Sequence, residues 1–376
     1  MGTGMNRRLV RRATFKAAGY GGNQVSNLLV IFTGGTIGSK SGAGAISVHE
    51  AGSYAIIEGY QSGPRYRESV KLECVEPLNI LSENLVPDDW NVLIETIRSA
   101  DLSQYDGIII THGSDTLAYT AAMLSYILCD SPIPIVLVAS NYPLGDPRSN
   151  GLRNFASAVE FIDEKLKGVY VVYENSAGEA IVYLGTRVTQ AVSFTDQLEC
   201  PYDVHYGIMS GGKLIVNEHP FNPPAQELRA RKPAPSPFIA GKDKLQSGLL
   251  YVKPFSGMTY DYFDFGQKAP KAVVHDLFHS STANTSASER HSLLAFAGYC
   301  AKHSVDLYLC PLKDSSETLY ASSVALQQAG VAFIENMSVD AALMKLTLAY
   351  SLYADKQQIR EFVMNTPLFY EFVASR

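Results

Sequence analysis

Short runs of β-branched and aliphatic residues alternate along the chain with longer segments of helical period. In the first half, this pattern predicts strands at 28–32, 107–110, 135–138 and 169–173, and helices at 88–98 and 116–128. Two apolar runs between Tyr206 and Val216 flank Ser210-Gly211-Gly212, which predicts a hairpin with a glycine-dependent turn. Such alternation is typical of βα units, so the predicted class is α/β with a largely parallel sheet.

A change in composition follows the hairpin. Six prolines lie within residues 220–237, and their missing N–H donors disfavour a helix or a central strand. We therefore expect a proline-rich linker over 219–245, between an N-terminal α/β domain at 25–218 and a smaller C-terminal α/β domain at 246–376. The pattern of the second domain predicts strands at 249–252, 272–274, 305–309 and 331–334, and helices at 287–302, 319–329 and 339–353.

Composition and charge narrow the classes of partner. The net charge is −6 without a basic stripe, so nothing indicates nucleic-acid binding, and a small-molecule substrate is expected. The five cysteines are scattered and never spaced as C-x-x-C, which is typical of reduced thiols in a cytoplasmic protein without a metal cluster. No apolar run approaches the roughly 18 residues that cross a bilayer, so no membrane partner is expected.

The first 24 residues are basic. They contain five cations and no acidic residue, and the repeated methionine at Met1 and Met5 resembles an expression scar. We expect residues 1–24 to be a disordered or tag-derived tail.

Two polar segments directly follow predicted strands. Residues 33–38 read T-G-G-T-I-G, and residues 111–116 read T-H-G-S-D-T before a predicted helix. Ligands of open α/β sheets bind at the carboxyl ends of strands, where glycines let a ligand approach the backbone. Each segment alone has an ordinary explanation, since the glycines could form a turn and Ser114 or Asp115 could cap a helix.

Taken together, the two segments resemble the double signature of the L-asparaginase family, T-G-G-T-I followed by a variant of H-G-T-D-T. The resemblance extends over nearly the whole chain from about Asn27, and residues 106–125 are especially similar to the cytoplasmic, type I branch. It implies a two-domain asparaginase-like fold, amide hydrolysis without a cofactor, and a homodimer or homotetramer in which the neighbouring subunit's second domain completes each site.

The resemblance also implies roles for individual residues. Thr36 falls on the nucleophile that attacks the side-chain amide, Ser114 on the second catalytic hydroxyl, and Asp115 on the carboxylate that holds the substrate's α-amino group. Ser82 matches the contact to the α-carboxylate. The expected substrate-binding set is completed by Gly35, Glu83 and Gly113. A zwitterionic substrate needs an anion for its ammonium group and hydrogen-bond donors for its carboxylate, so these roles are chemically consistent.

Two catalytic positions depart from the family pattern. Ala45 stands in the segment where a tyrosine is expected, and Gln190 stands where a lysine is expected in an R-x-T-K-type segment. A threonine hydroxyl needs a neighbouring base, and neither alanine nor an amide can serve as one. Candidate replacements are Lys40, Tyr54 and Tyr60, although an exposed lysine and packed tyrosines are the ordinary interpretation. Further along, Asn150 replaces a usual aspartate in a segment that supports the site.

Three other features resemble functional sites, but their residues argue against that interpretation. Residues 207–213 resemble the start of a P-loop, but Leu214 replaces the hydroxyl residue that binds Mg²⁺. His275 and His279 lack a third ligand at zinc-like spacing, and Glu317 suits a helix start as well as a site.

Three hypotheses for function follow. The first is an amidohydrolase that hydrolyses L-asparagine, or a related amino-acid amide, to the acid and ammonia. The second is a catalytically impaired relative that binds an amino acid or acts on a different amide. The third is the tRNA-dependent amidotransferase subunit that shares the fold. We expect it less because that family adds an N-terminal domain and only 24 residues precede the predicted α/β domain at 25–218.

Overall fold

A computed structural model describes residues 11–15, 26–35, 39–42, 45–48, 52–232, 234–313 and 318–373. The chain divides into two compact units, Met1–Lys244 and Leu245–Arg376. Each unit is built on its own sheet. The predicted α/β class, with a large mostly parallel sheet and a smaller second one, is therefore confirmed.

The first unit contains eleven strands and five helices in its described part. In chain order these are β1 (Arg11–Phe15), β2 (Ser26–Phe32), β3 (Ser39–Gly42), β4 (Ala45–Val48), α1 (Gly52–Gln61), β5 (Val70–Glu76), α2 (Pro87–Arg98), β6 (Gly107–Thr111), α3 (Leu117–Ile127), β7 (Pro134–Val138), α4 (Gly151–Ile162), β8 (Gly168–Glu174), β9 (Ala180–Leu184), β10 (Gly207–Ser210), β11 (Lys213–Val216) and α5 (Ala225–Ala230).

Nine of these strands form one sheet in the order β1-β5-β2-β6-β7-β8-β9-β10-β11, and β3 pairs with β4 separately. The five strands from β5 to β8 in this order are mutually parallel, whereas both ends of the sheet are antiparallel. β6, β7 and most of β8 are buried throughout because helices cover both faces. The carboxyl ends of the parallel strands thus share one edge of the sheet.

The glycine-dependent hairpin is confirmed. Gly211 and Gly212 both adopt positive φ, at 56° and 77°, between β10 and β11. Two consecutive positive φ values match the right-handed twist of the strands, and glycine adopts them without steric cost.

Two expectations are wrong in part. Residues 11–15, assigned to the tail, form β1 and pair antiparallel with β5 at the edge of the sheet. A five-residue strand with two arginines gives little pattern by itself, and its pairing depends on a partner some 60 residues away.

The exclusion of helix from 220–237 is also wrong, because α5 starts directly after Pro224. That proline precedes the first turn, where no N–H is needed, and the next proline follows the helix.

The proline-rich segment packs against the first unit. Leu228 of α5 is buried, the Ser236 hydroxyl donates to the Ile127 carbonyl at 2.6 Å, and Arg231 donates to the Cys129 carbonyl at 2.6 Å. These contacts attach the segment to the end of α3.

The second unit has a four-stranded parallel sheet in the order β12-β13-β14-β15. Its elements are β12 (Leu249–Val252), β13 (Ala272–Asp276), α6 (Leu293–Lys302), β14 (Asp306–Leu312), α7 (Ala321–Gln328), β15 (Ala332–Glu335), α8 (Val339–Leu352) and α9 (Lys356–Asn365). All four predicted strands and three predicted helices are present, and α9 was not predicted. In the described part of the chain, no helix is long and apolar enough to cross a membrane.

Candidate active site

The first polar segment begins where β2 ends. The parallel register places Phe32 of β2 beside Thr111 of β6, so the two polar segments start next to each other. The Thr33 hydroxyl donates to the Thr111 carbonyl at 2.8 Å, and both residues are buried. This bond joins the two segments at their first residues.

Gly34 and Gly35 then turn away from β2 toward the chain that leaves β5. Their φ angles are 96° and 78°, which residues with a Cβ rarely adopt. The Gly35 N–H donates to the Ile80 carbonyl at 2.9 Å, and the Ile80 N–H donates to the Thr33 carbonyl at 3.0 Å. A Cβ at Gly34 would lie 2.4 Å from the Ile80 oxygen, so glycine is required for this close approach.

Gly35, Gly113 and Ser82 meet at one point. A Cβ at Gly35 would lie 2.4 Å from the Gly113 nitrogen, and a Cβ at Gly113 would lie 2.4 Å from the Ser82 hydroxyl oxygen. Ser82 opens a short 3-10 helix, Ser82–Asn84, and its carbonyl accepts a bond of 3.0 Å from the Thr116 hydroxyl. Segments that follow β2, β5 and β6 are thereby packed against one another, as the predicted site requires.

Ser114 and Asp115 lie in a 3-10 turn, Ser114–Thr116, that leads into α3. Ser114 is half-buried, whereas Asp115 is exposed. Neither the turn nor α3 has a side-chain cap at its first residue, and Asp115 has no hydrogen-bond partner within the described part of the chain. The structure thus gives no support to a capping role for Asp115, and its carboxylate is open to a ligand.

A buried chain of hydrogen bonds lies behind Gly113, and the sequence reasoning missed it. The Trp90 indole N–H donates to the Thr120 hydroxyl at 2.9 Å, that hydroxyl contacts His112 Nε2 at 3.0 Å, and His112 Nδ1 contacts the Gly113 carbonyl at 2.8 Å. A carbonyl can only accept, so Nδ1 carries the proton and Nε2 accepts from Thr120. Burial lowers the pKa of His112 to about 4, so the ring is neutral at pH 7.

Several predicted site residues lie outside the meeting point of Gly35, Ser82 and Gly113 or outside the described residues. Thr36, the expected nucleophile, lies outside the described residues, directly after Gly35. Glu83 is exposed in the 3-10 helix beside Ser82. Gln190 is half-buried in the segment after β9, and no hydrogen bond joins it to another described residue. Ala45 is the first residue of β4, which pairs with β3.

The candidate replacement bases differ in their surroundings. Tyr60 is buried with its ring edge-on to Phe155, and burial raises the pKa of Tyr60 to about 12. It is therefore a core residue, in agreement with the ordinary interpretation. Tyr54 is half-buried and packs edge-on against Phe32, the last residue of β2, at 5.4 Å between ring centres. Lys40 belongs to β3, and its side chain lies outside the described part.

Asn150, the departure from the usual aspartate, supports the loop after β7. Asn141 and Asn150 exchange backbone-to-side-chain bonds of 3.0 and 3.1 Å, and the Asn150 amide also donates to the Glu174 carbonyl at 3.1 Å. A carboxylate could not make the last bond, because it has no proton to donate at neutral pH. The substitution is thus matched by a local partner at the end of β8.

The features set aside earlier have structural roles where the structure describes them. Residues 207–213 form the hairpin of β10 and β11 rather than a phosphate loop. His275 is buried and its Nε2 contacts the Tyr260 hydroxyl at 2.8 Å. Glu317 lies outside the described residues. No group of three or more metal-ligating side chains occurs in the described ranges.

Comparisons with known proteins identify relatives of this chain. A family model described as "Asparaginase, N-terminal" matches residues 27–221. An L-asparaginase of Thermococcus kodakarensis is 36% identical over 197 residues, which cover 51% of this chain and 56% of that protein. A glutamyl-tRNA(Gln) amidotransferase subunit from Methanococcus vannielii is 29% identical over 254 residues, covering 66% of this chain and 58% of that one. The chain thus spans little more than half the length of these two curated relatives.

Solved structures show the same fold. The thermostable L-asparaginase from Thermococcus kodakarensis matches with a TM-score of 0.72 at 24% identity, covering 93% of this chain and 100% of that one. L-asparaginase I from Vibrio cholerae matches with a TM-score of 0.70 at 19% identity, covering 93% and 100%. Because the family model matches just over half of the residues, including both polar segments, the chain belongs to the asparaginase family.

Proposed function

We propose that this protein hydrolyses the side-chain amide of L-asparagine, or of a closely related amino acid, to the acid and ammonia. The observation that carries the proposal is the meeting of Gly35, Ser82 and Gly113 at the carboxyl ends of the central parallel strands. Thr36 follows Gly35 in the sequence, and Ser114 and Asp115 follow Gly113. The proposal therefore assigns these three residues to one small site.

The proposed reaction has two steps. The Thr36 hydroxyl oxygen attacks the amide carbon, its proton passes to the leaving nitrogen, and ammonia departs to leave an ester on Thr36. Water then attacks the ester carbonyl, which releases the amino-acid product and restores the hydroxyl. Asp115 binds the α-ammonium group, since it is an exposed carboxylate without a protein partner in the described region. Ser82 faces the α-carboxylate.

The base in this proposal must come from a residue other than Ala45 and Gln190. Gln190 and Ala45 cannot accept a proton near neutral pH, and Tyr60 is committed to the core. Tyr54 remains, because it lies in the first turn of α1 and packs against the residue that ends β2. We therefore propose Tyr54 or Lys40 as the replacement base in an active enzyme.

A second candidate function is amino-acid binding without turnover. Its specific support is that both departures remove proton-transfer groups and leave the expected binding residues unchanged. Losing one general base typically costs roughly 10²–10⁴-fold in rate, so two losses together could leave a binding protein.

A third candidate is a role within an amidotransferase, in which the released ammonia passes to a second acceptor. It is favoured by the similarity to subunits of glutamyl-tRNA(Gln) amidotransferases, which for the Metallosphaera sedula protein extends over 350 residues at 25% identity. Ammonia release that is slow alone and faster with a partner protein would favour this candidate.

Ammonia release from asparagine and from glutamine, measured beside aspartate binding by calorimetry, tests the proposal. We expect the wild type to release ammonia from one of the two amides, and Thr36→Ala to bind aspartate without turnover. Binding without turnover in the wild type would support the second candidate. Neither binding nor turnover, by a folded protein, would overturn the proposal.

A further inference from the structure

We propose that the second unit binds a small organic anion with an apolar body, in a cavity that its own residues line. The cavity has a volume of about 540 Å³, within the roughly 300–1,000 Å³ typical of small-molecule sites. It lies at the amino ends of β14 and β15, along α6, beside the residues that follow α7 and the first two turns of α9. Every lining residue belongs to the second unit.

The cavity is open to solvent over a floor of small residues, most of which are exposed. Ala297, Gly298 and Ala301 lie on one face of α6, and Ala329 and Gly330 follow α7. A Cβ added at Gly298 or at Gly330 would meet no atom within 4 Å, so both glycines open onto empty space. The absence of side chains here leaves an apolar recess that a flat, uncharged body would fill.

One acidic and two basic side chains line the cavity. Both carboxylate oxygens of Asp306 are occupied, one by Lys356 Nζ at 2.6 Å and the other by the Tyr350 hydroxyl at 2.5 Å. Arg360 lies one helical turn after Lys356 and lines the same cavity. Within the described ranges Arg360 has no ion-pair partner, so the cavity carries one positive charge in excess.

This arrangement selects the class of ligand. A guanidinium presents planar paired donors that match a carboxylate, and Arg360 is the group left to receive one. An apolar body beside the carboxylate would lie on the alanine and glycine floor. A neutral ligand would leave Arg360 without an anion, and a small inorganic anion would leave the floor unfilled.

The test uses the full chain and three probes in calorimetry: indole-3-acetate, which carries both features, indole-3-ethanol, which lacks the charge, and sulfate, which lacks the apolar body. We expect saturable binding of indole-3-acetate at least tenfold tighter than either of the others. Arg360→Gln should weaken indole-3-acetate at least tenfold and leave indole-3-ethanol unchanged. Arg290→Gln is the matched control, because Arg290 is an exposed arginine of the same unit that pairs with Asp261.

A second variant tests the position of the ligand without removing charge. Gly298→Leu projects its side chain into the recess, and leucine is a better helix former than glycine, so the fold and the thermal midpoint should be retained. This variant should abolish binding of indole-3-acetate. Equal affinity for sulfate and indole-3-acetate, or binding that survives both Arg360→Gln and Gly298→Leu, would overturn the proposal. Because all readouts are binding, they do not depend on amide hydrolysis.

Discussion

The contact between Gly35 and Gly113 predicts a specific defect for Gly35→Ala. A Cβ at Gly35 would lie 2.4 Å from the Gly113 nitrogen and 2.5 Å from its Cα, whereas ordinary contacts begin at 3.4 Å. The two backbones must therefore separate by about 1 Å. Since Thr36 follows Gly35 directly, the expected nucleophile moves relative to Ser114, and a 1 Å displacement can cost roughly 10²-fold in rate.

The stability cost has two parts that a matched control can separate. Alanine at a φ of 78° costs about 1–2 kcal/mol, partly offset by about 0.4–1 kcal/mol from the more restricted unfolded chain. The clash adds about 1–3 kcal/mol, as for other overpacked sites. Gly178 has nearly the same φ, 81°, but a Cβ there meets nothing within 4 Å. Gly178→Ala should therefore lose only the stability that the positive φ costs, without the cost of a clash.

Urea unfolding and ammonia release together check this reasoning. We expect Gly35→Ala to be about 1–3 kcal/mol less stable than Gly178→Ala and at least 100-fold slower, with Gly178→Ala close to wild type in rate. If the wild type proves inactive, aspartate affinity takes the place of the rate. Equal losses of stability in the two variants, with unchanged activity in Gly35→Ala, would refute the argument that this glycine contact positions the site.

Four further predictions concern single groups or the assembly. Asp115→Ala should abolish amino-acid binding by calorimetry with little change in melting temperature, because the side chain caps nothing; a fall of many degrees with binding retained would show a structural role instead. Gln190→Lys should raise amide hydrolysis at least tenfold if the chain has only lost its base, and should do nothing or harm if a replacement base already works. Light scattering should give at least a dimer, and a mass of 41 kDa across micromolar concentrations would contradict it. Burial lowers the pKa values of His112 and His275 to about 4 in the folded protein. As the pH falls below about 6.5, these histidines therefore take up protons in the unfolded chain while they stay neutral in the folded protein. The unfolding free energy should drop by about 2 kcal/mol per histidine between pH 7 and pH 5, and a flat profile from urea titrations would contradict it.

Local pattern accounts for most of the elements that were predicted correctly. Strands β6 and β7 are continuous apolar runs, and α2 has a regular apolar face, so each could be read from its own residues. β5 was missed although Val70, Leu72 and Cys74 alternate with polar residues, which is itself a strand signal. α1 and α4 were missed as well, and β1 could not be recognised because its only evidence is its pairing with β5.

The amino-acid sequence by itself determined the α/β class, the two polar segments after strands, and the family to which they point. Through the family resemblance, it also predicts that Ala45 and Gln190 stand where proton-transferring groups are expected. These inferences depend on the order of residues within short segments of the sequence, which can be interpreted without knowledge of the tertiary structure.

The tertiary structure alone decided which segments meet. Gly35 and Gly113 are 78 positions apart, and their contact requires β2 to lie between β5 and β6 in a particular register. The hydrogen-bond chain of His112 likewise joins two different helices, since Thr120 of α3 contacts its Nε2 and Trp90 of α2 donates to the Thr120 hydroxyl. Strand order, register and burial arise from packing between distant parts of the chain, so no local pattern encodes them.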